Sequence, residues 1–288
     1  MTAAISAVGL GRRYSRRWAL HDCTVAVPLG CVVGLVGANG AGKSTLLNLA
    51  MGMVSPSVGS IEVLGGDPTD SRTLGRVGFV AQSTPLYESL SVGEHLHLGR
   101  ALNRSWDDAL ATERIKRLGL DLSQRAGGLS GGQRAQLALT LAIGKRPDLL
   151  LLDEPVATLD PLARRHFQED LMTLAVAGTT MVVSSHLLAD IERICDYLIV
   201  MRGGVVALAG DVEELLADHK VLVGARCDAR SLPTGQQVVQ ISHTRRQTTA
   251  LVRSHGPANL DGWAVGNVGL EDLVLAYMSE PRIKEVAA

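Results

Sequence analysis

The sequence predicts an α/β fold in which helices cover a mostly parallel sheet. Residues 31–36 and 149–152 are continuous apolar runs, and such runs are typical of parallel strands that are buried on both faces. Between about residues 82 and 145, apolar side chains instead recur at helical spacing. With 288 residues, the chain is long enough for one large core and a smaller appendage.

The remaining elements follow from periodicity and from the positions of glycine and proline. We predict an antiparallel β subdomain at the N-terminal edge and an inserted helical subdomain of about residues 83–145. A main domain of residues 1–210 is then followed by a small α+β appendage, residues 211–288. The other predicted strands are 5–27, 60–64, 78–81, 181–184, 221–224, 238–242 and 248–253, and the predicted helices include 91–100 and 106–118.

A glycine-rich loop follows the first apolar run. Residues 37–44 read Gly-Ala-Asn-Gly-Ala-Gly-Lys-Ser, which matches the Walker A pattern G-x-x-x-x-G-K-[ST] between a strand and a helix. Glycines let backbone N–H groups point at phosphate oxygens, and the helix adds its positive end. We therefore predict a P-loop NTPase core rather than a glycine-rich turn with a chance lysine. The predicted nucleotide contacts here are Gly37, Asn39, Gly40, Ala41, Gly42, Lys43, Ser44 and Thr45.

Two carboxylates end the second apolar run. Asp153 and Glu154 follow four leucines, so they are predicted at the edge of the sheet, where Lys43 and Ser44 also lie. Asp153 is expected to bind Mg²⁺ through water, with Ser44 as a further ligand. Glu154 is expected to accept a proton from the water that attacks the γ-phosphate. The pair therefore predicts hydrolysis of the bound nucleotide.

A five-residue segment before a helical stretch adds a second phosphate-binding element. Residues 129–133 read Leu-Ser-Gly-Gly-Gln, and Ser130, Gly131 and Gly132 are predicted at the N-terminus of the helix that follows. Helix N-termini attract phosphate. An ordinary helix cap with Ser130 as N-cap is the alternative, and a cap in the free chain can also become a ligand.

Together, residues 37–44, 129–133 and 149–154 with His186 resemble the nucleotide-binding subunit of ABC (ATP-binding cassette) transporters, over about residues 5–210. The resemblance implies a RecA-like core and two subunits that bind ATP and Mg²⁺ between them. One subunit then presents its signature segment to the γ-phosphate held by the other. The implied signature contacts are Ser130, Gly131, Gly132 and Gln133.

The resemblance assigns further residues by their position. Gln82 matches the glutamine that contacts Mg²⁺ or water and connects to the membrane subunit, Asp160 lies in the D-loop, and His186 matches the histidine that contacts the γ-phosphate. Adenine is expected to stack on Tyr14, with Trp18 as the competing candidate. The implied Mg²⁺ ligands are Ser44, Gln82 and Asp153.

Two positions depart from the family pattern. Val156 and Ala157 stand where the family usually has threonine and serine. Neither change removes a phosphate or metal ligand, so an active ATPase is expected. Communication between the two sites through the D-loop is the property that these changes affect.

The end of the chain favours export. Residues 269–278 resemble the Leu-Glu-Asp segment that closes ATPase subunits of exporter-type systems. The implied partners are a second ATPase subunit, identical or different, and a separate polytopic transmembrane permease that docks near residues 82–98. The chain is then expected in the cytoplasm, peripheral on the cytoplasmic face of the cell membrane. A soluble ABC ATPase of an assembly or regulatory complex is the alternative.

Composition argues against several other classes. A formal net charge of −1 without a dominant basic block disfavours nucleic-acid binding. The four cysteines lack C-x-x-C spacing, so we predict buried, inert thiols in a reducing compartment. His95 and His97 are predicted to be surface residues rather than metal ligands. Five C-terminal arginines face only Asp228 in that stretch and favour a solvated face over an anionic partner; they are Arg226, Arg230, Arg245, Arg246 and Arg253.

Overall fold

The computed structural model describes residues 3–156, 159–186, 192–227, 236–254 and 262–279, with the backbone of 283–285. Ala157, Asp228 and Arg230 lie outside the described residues. The strands are β1 (Ala3–Tyr14), β2 (Arg17–Pro28), β3 (Val32–Gly37), β4 (Val58–Val63), β5 (Val77–Val80), β6 (Leu149–Asp153), β7 (Thr180–Ser185), β8 (Tyr197–Arg202), β9 (Val205–Asp211), β10 (His219–Ala225), β11 (Gln236–His243), β12 (Gln247–Ser254), β13 (Ala264–Asn267) and β14 (Ile283–Glu285). The helices are α1 (Lys43–Ala50), α2 (Ser71–Gly75), α3 (Val92–Leu102), α4 (Asp108–Arg117), α5 (Gly131–Gly144), α6 (Pro161–Val176), α7 (Val212–Asp218) and α8 (Leu270–Met278).

A central sheet organises the described chain, in the strand order β5-β6-β7-β3-β8-β9. All neighbouring pairs from β5 to β8 are parallel, and β9 pairs with β8 antiparallel. Both β6 and β7 are buried along their whole length, as their apolar sequences predict. Because parallel strands end at the same edge, Gly37, Asp153 and Ser185 are brought to one edge of the sheet. In α/β sheets, ligands bind outside this carboxyl edge.

The N-terminal sheet packs beside that edge. Its order is β2-β1-β4, with antiparallel pairing throughout. Leu10 and Leu20 are fully buried and share a hydrophobic cluster with Leu47 of α1 and Leu35 of β3. This packing fixes the β1–β2 hairpin next to the start of α1.

The inserted helices have a core of their own. Val92 of α3, Ile115 of α4 and Leu137 of α5 belong to one buried cluster. Helix α5 also reaches the main cluster, because successive turns present different faces. Arg114 of α4 donates to Asp170 of α6 over 2.7 Å, which links the helical subdomain to the core.

The C-terminal strands form a separate sheet, whereas the last helix joins the main core. The sheet order is β13-β10-β12-β11-β14, and Leu222 and Ile241 contribute to a small cluster within it. In contrast, Leu273 and Val274 of α8 belong to the main cluster. The α/β class, with its N-terminal antiparallel sheet, helical insertion and α+β appendage, is confirmed. The domain boundary at residue 210 stays a prediction.

Candidate functional site

The glycine-rich loop joins β3 to α1 at the carboxyl edge of the central sheet. Gly40 and Gly42 have φ angles of 80° and 106°, in the region that favours glycine. A Cβ on Gly42 would lie 2.5 Å from Leu20 Cδ2 and 2.8 Å from Ala19 O, so the loop packs directly against β2. The loop therefore leads into the N-terminus of α1, which is the end of a helix that attracts anions.

Lys43, the first residue of α1, is held within this loop. Its side chain is only 5% exposed, and its ammonium donates to Gly37 O over 2.7 Å. The same nitrogen lies 3.3 Å from Glu154 Oε1. A loop carbonyl and a carboxylate thus hold the buried ammonium in place, and the carboxylate balances its charge.

Glu154 is positioned by its backbone as well as by its side chain. Its φ of 47° lies in the left-handed region, which a non-glycine residue adopts at a cost of about 1–3 kcal/mol. Its N–H donates to Ser184 Oγ over 2.9 Å, and that hydroxyl donates to Asp153 Oδ1 over 2.7 Å. His186 Nδ1 lies 2.9 Å from Glu154 Oε2. Lys43, Glu154 and His186 are therefore connected through one carboxylate.

These groups open into one cavity of about 650 Å³. It contains all of the predicted nucleotide-contacting residues except Gly37, together with Gln82, Glu154 and His186. Asp153 is not among the described residues that line it. The described lining residues are Tyr14, Arg17, Trp18, Ala19, Asn39, Gly40, Ala41, Gly42, Lys43, Ser44, Thr45, Gln82, Glu154 and His186.

Both candidate aromatic residues line this cavity. The Arg12 guanidinium lies 4.8 Å from the Tyr14 ring centroid, and the Arg13 guanidinium lies 5.6 Å from the Trp18 ring centroid. A Cβ on Gly11 would come within 3.0 Å of the Trp18 ring, so this ring packs onto the backbone of β1. An aromatic surface is thus available at the end of the cavity that is formed by the hairpin.

Comparisons with known proteins agree with this geometry. A family model described as ABC transporter matches residues 20–157. The Nod factor export ATP-binding protein I of Rhizobium johnstonii is 36% identical over 223 residues, which cover 75% of this chain and 72% of that protein. This chain belongs to the ABC transporter family.

Solved structures support the same identification. A structure of the ATP binding subunit of an ABC transporter matches at 28% identity with a TM-score of 0.68, covering 74% of this chain and 92% of that one. The ATP-binding cassette MJ0796, in a dimeric post-hydrolysis state with ADP and phosphate, shares the fold at 24% identity and a TM-score of 0.65, covering 72% and 98%. This ABC protein is an ATP-binding subunit and an ATPase.

Residues 129–133 lie apart from the cavity described above. Ser130 caps α5 and forms a capping box with Gln133, which confirms the cap that the sequence allows. Asp160 caps the neighbouring α6, and a Cβ on Gly132 would lie 3.1 Å from Ala163. The N-termini of α5 and α6 are therefore adjacent, and neither helix contributes a described residue to the cavity wall.

The donor atoms of the predicted magnesium ligands are all oxygen. Ser44 and Gln82 line the ABC cavity and carry a hydroxyl and an amide carbonyl, and Asp153 carries a carboxylate and precedes Glu154 in the sequence. Mg²⁺ is typically held by one or two carboxylates together with water and substrate phosphates. Within the described ranges, no group of three or more His, Cys, Asp or Glu side chains could hold a metal ion. The residues present therefore fit a phosphate-bound Mg²⁺.

Two residues near the ABC site were not predicted. Arg17 lines the cavity, but in the sequence it is one of several arginines in a turn. Ser184 connects Asp153 to the backbone of Glu154, but in the sequence it is a serine at the end of an apolar strand. Pairing of β1 with β2 could have indicated Arg17, because Tyr14 and Arg17 are direct cross-strand partners.

Other predictions for this ABC subunit need correction. His95 is buried rather than exposed, and its two ring nitrogens contact Ser91 O and Tyr87 N. Cys31 and Cys227 are half-buried rather than buried. Even so, burial raises the pKa of the Cys31 thiol to about 11, as it does for the two buried thiols, Cys23 and Cys195.

The acidic partners of the C-terminal arginines also differ from the prediction. Arg253 lies 3.2 Å from Asp218, an acidic residue that α7 brings to β12 from outside the stretch considered in the sequence. Along the described part of the chain, no helix is long and apolar enough to cross a lipid bilayer.

Proposed function

We propose that this ATPase is the motor subunit of an ABC exporter. Two ATPase subunits would enclose two ATP molecules, close, and drive a separate transmembrane permease, and hydrolysis would then reopen them. The division of the site supports this proposal most directly. The phosphate loop, Glu154 and His186 share one cavity, whereas the exposed start of α5 lies outside it.

In the proposed reaction, the γ-phosphate separates groups that contact each other in this structure. Lys43 would move its ammonium from Glu154 Oε1 to the β- and γ-phosphates, since an anion with several charges competes for it. Glu154 would then be free to accept the proton of the attacking water. His186 would keep its contact with Glu154 and reach the γ-phosphate.

Bound Mg²⁺ would neutralise phosphate charge, with Ser44, Gln82 and Asp153 as its protein ligands. The hydrogen bond from Ser184 holds the Asp153 carboxylate in one orientation. Asp153 lies outside the cavity wall, so we propose that it binds the ion through water. The same serine orients Glu154 through its backbone, so one hydroxyl supports both acidic groups.

Adenine is proposed to stack on Tyr14. One face of the Tyr14 ring is covered by Arg12, whose Nη1 donates to Ser55 O over 2.8 Å, so the ring is supported from one side. The Trp18 ring instead packs over Gly11 and contacts Arg13. Tyr14 is therefore the better candidate for a platform with one open face.

A second subunit is proposed to complete the site. The N-terminus of α5 carries backbone N–H groups that suit a γ-phosphate, and Ser130, Gly131, Gly132 and Gln133 would contact the nucleotide of the partner. Asp160, adjacent to it at the start of α6, would lie at the same interface. The related cassette solved as a dimer supports this arrangement.

Export and membrane attachment are supported by the relative named for Nod factor export and by the C-terminal segment. The Leu-Glu-Asp sequence starts α8 at Leu270, and this helix packs into the main core. We propose that the permease docks near residues 82–98 and holds the chain at the cytoplasmic face of the membrane. The transported substrate would be selected in that permease.

Oligomeric mass tests the two-subunit site. The Glu154→Gln variant should bind Mg-ATP without hydrolysing it, and its oligomeric mass should double. The same variant with Lys43→Ala should stay monomeric. Affinity purification of the full chain from membranes should also recover a polytopic membrane protein. A chain that binds ATP but stays monomeric at high concentration would contradict self-sufficient dimerisation, and recovery without any membrane protein would favour the soluble ATPase.

A further inference from the structure

The hairpin between β1 and β2 concentrates positive charge at the mouth of the nucleotide cavity. Four arginines occur within residues 12–17, and two of them are engaged with aromatic rings. Arg12 lies over Tyr14, and Arg13 lies over Trp18. These two guanidinium groups therefore have structural roles within the hairpin.

The other two arginines differ from each other in one respect. Arg16 and Arg17 are both exposed, and neither guanidinium group forms an ion pair or hydrogen bond with another side chain in the described ranges. Arg17 lines the cavity, whereas Arg16 lies in the turn and does not. Because Tyr14 and Arg17 are cross-strand partners, their side chains project from the same face of the hairpin.

The charges along the cavity wall leave Arg17 as a cation without an acidic partner among the described lining residues. Lys43 and His186 both contact Glu154, which is the acidic residue of that wall. Two residues beyond Arg17, the carbonyl oxygen of Ala19 would lie 2.8 Å from a Cβ on Gly42. Strand β2 therefore runs from Arg17 directly to the phosphate loop. Two residues of a strand span about 6.6 Å, a distance that an arginine side chain can cover.

We propose that Arg17 is a further nucleotide-binding residue whose guanidinium contacts the α-phosphate of ATP and ADP. This inference rests on the proposed placement of adenine at Tyr14 and of the γ-phosphate at Lys43. A cation next to Tyr14 then meets the phosphate that is nearest to the base. The planar guanidinium donates two parallel hydrogen bonds to phosphate oxygens, which an ammonium group cannot do in the same geometry.

Calorimetric titration of the full chain tests this contact, in the Glu154→Gln background so that ATP persists. Arg17→Gln should weaken Mg-ATP and Mg-ADP binding equally, by about five- to tenfold at low ionic strength. The loss should shrink at high ionic strength, because the site is exposed and salt screens it. Adenosine, which lacks phosphate, should bind as it does to the parent, and Arg17→Lys should recover part of the loss.

Arg16→Gln is the matched control, since it removes the same charge one residue away, outside the cavity. It should change nucleotide affinity by less than about twofold. Equal losses for Arg16→Gln and Arg17→Gln, a loss confined to ATP, or an equal loss for adenosine would each overturn the α-phosphate contact. So would unchanged affinity in Arg17→Gln. If the parent itself bound no nucleotide, the proposed function would fail, whereas parent binding with an unaffected Arg17→Gln variant overturns this inference alone.

Circular dichroism and thermal unfolding without nucleotide establish that the variants are folded. The Arg17 side chain is exposed, and its guanidinium forms no ion pair or hydrogen bond with a described side chain, so Arg17→Gln and the parent should unfold at the same temperature. A lower unfolding temperature for Arg17→Gln alone would indicate a structural role and overturn the assignment.

Discussion

The nucleotide site and the C-terminal region are both attached to the central sheet, but through contacts of different sequence range. Lys43 donates to Gly37, six residues away, and both belong to one motif. Arg202 of β8 donates to Ser279 O at the end of α8, 77 residues away. The residues of the first region can therefore be predicted from short motifs. The second region depends on contacts between residues that no local sequence pattern identifies.

The two regions nevertheless meet on one strand. Met201 O would lie 2.6 Å from a Cβ on Gly37, and Gly204, just after β8, donates its N–H to Ala41 O over 3.1 Å. The next residue after Met201 is Arg202, which holds the end of α8. Strand β8 thus contacts the phosphate loop on one side and the C-terminal helix on the other. The contrast between the regions lies in how they are specified rather than in how far apart they are.

The largest expected effect concerns chemistry at the motif-defined site. Glu154→Gln should lower the ATP turnover number by about 10²–10⁴ or more, because the amide cannot serve as a general base. Mg-ATP binding should be retained. Steady-state phosphate release and equilibrium nucleotide binding check the two parts of this prediction.

Glu169→Gln provides the comparison for this variant, since Glu169 is exposed on α6 and pairs with Arg165. It should hydrolyse ATP at the parent rate. Parent-like turnover in Glu154→Gln would contradict the catalytic role of Glu154. The motifs would then predict the roles of the nucleotide-site residues no better than the sequence predicts the C-terminal region.

The second prediction tests how the C-terminal region is attached. Leu273 of α8 and Leu222 of β10 are both fully buried, but Leu273 belongs to the main cluster and Leu222 to the small C-terminal cluster. Truncation of either to alanine should cost about 2–5 kcal/mol. Mg-ATP stabilises whatever unfolds together with its binding site. Leu273→Ala should therefore lower the thermal transition that Mg-ATP raises.

Leu222→Ala is the matched variant, with the same side chain removed from the other cluster. Its main effect should be on exchange of backbone amides in β10 and β12, with a smaller change in the nucleotide-responsive transition. If both variants lowered that transition equally, the two regions would unfold as one unit. If Leu273→Ala left it unchanged, α8 would not be part of the main core.

Some residues of the candidate site can be predicted from the sequence, and others cannot. Lys43, Asp153 and Glu154 each belong to a short motif that the order of its residues identifies. The parallel sheet then brings the three residues together. Arg17 is different, because an arginine in a turn has the same appearance whether it faces solvent or a cavity. Only the cross-strand register with Tyr14 distinguishes the two cases.

The C-terminal elements were harder to predict for a related reason. Strands β10, β11 and β12 alternate enough to be predicted, but α7, β13 and β14 are short and have weak periodicity. The burial of α8 against β8 depends on tertiary packing. Amphipathic spacing indicates that one face of the helix is buried, but it does not indicate which surface of the protein covers that face. His95 shows the same limit on a smaller scale, since the backbone N–H that donates to its ring belongs to Tyr87, eight residues away.

The smallest predicted effect concerns one hydrogen bond that joins the C-terminal sheet to α8. His219 is fully buried, its Nδ1 contacts Leu215 O over 2.7 Å, and its Nε2 contacts the Tyr277 hydroxyl over 2.8 Å. In the neutral imidazole, Nδ1–H donates to the carbonyl and Nε2 accepts from Tyr277. Tyr277→Phe should therefore cost about 1 kcal/mol, because it removes the hydroxyl that donates to Nε2.

Thermal unfolding should detect this loss as a decrease of about 2–4 °C, with ATP turnover unchanged. Tyr87→Phe is the control, because Tyr87 is 65% exposed and its hydroxyl can reach water in either state. A decrease of the same size in Tyr87→Phe would assign the effect to hydroxyl removal in general. An unchanged unfolding temperature in Tyr277→Phe would contradict a stabilising role for the His219 contact. The C-terminal region would then be attached by the apolar packing of α8, through Leu273 and its neighbours.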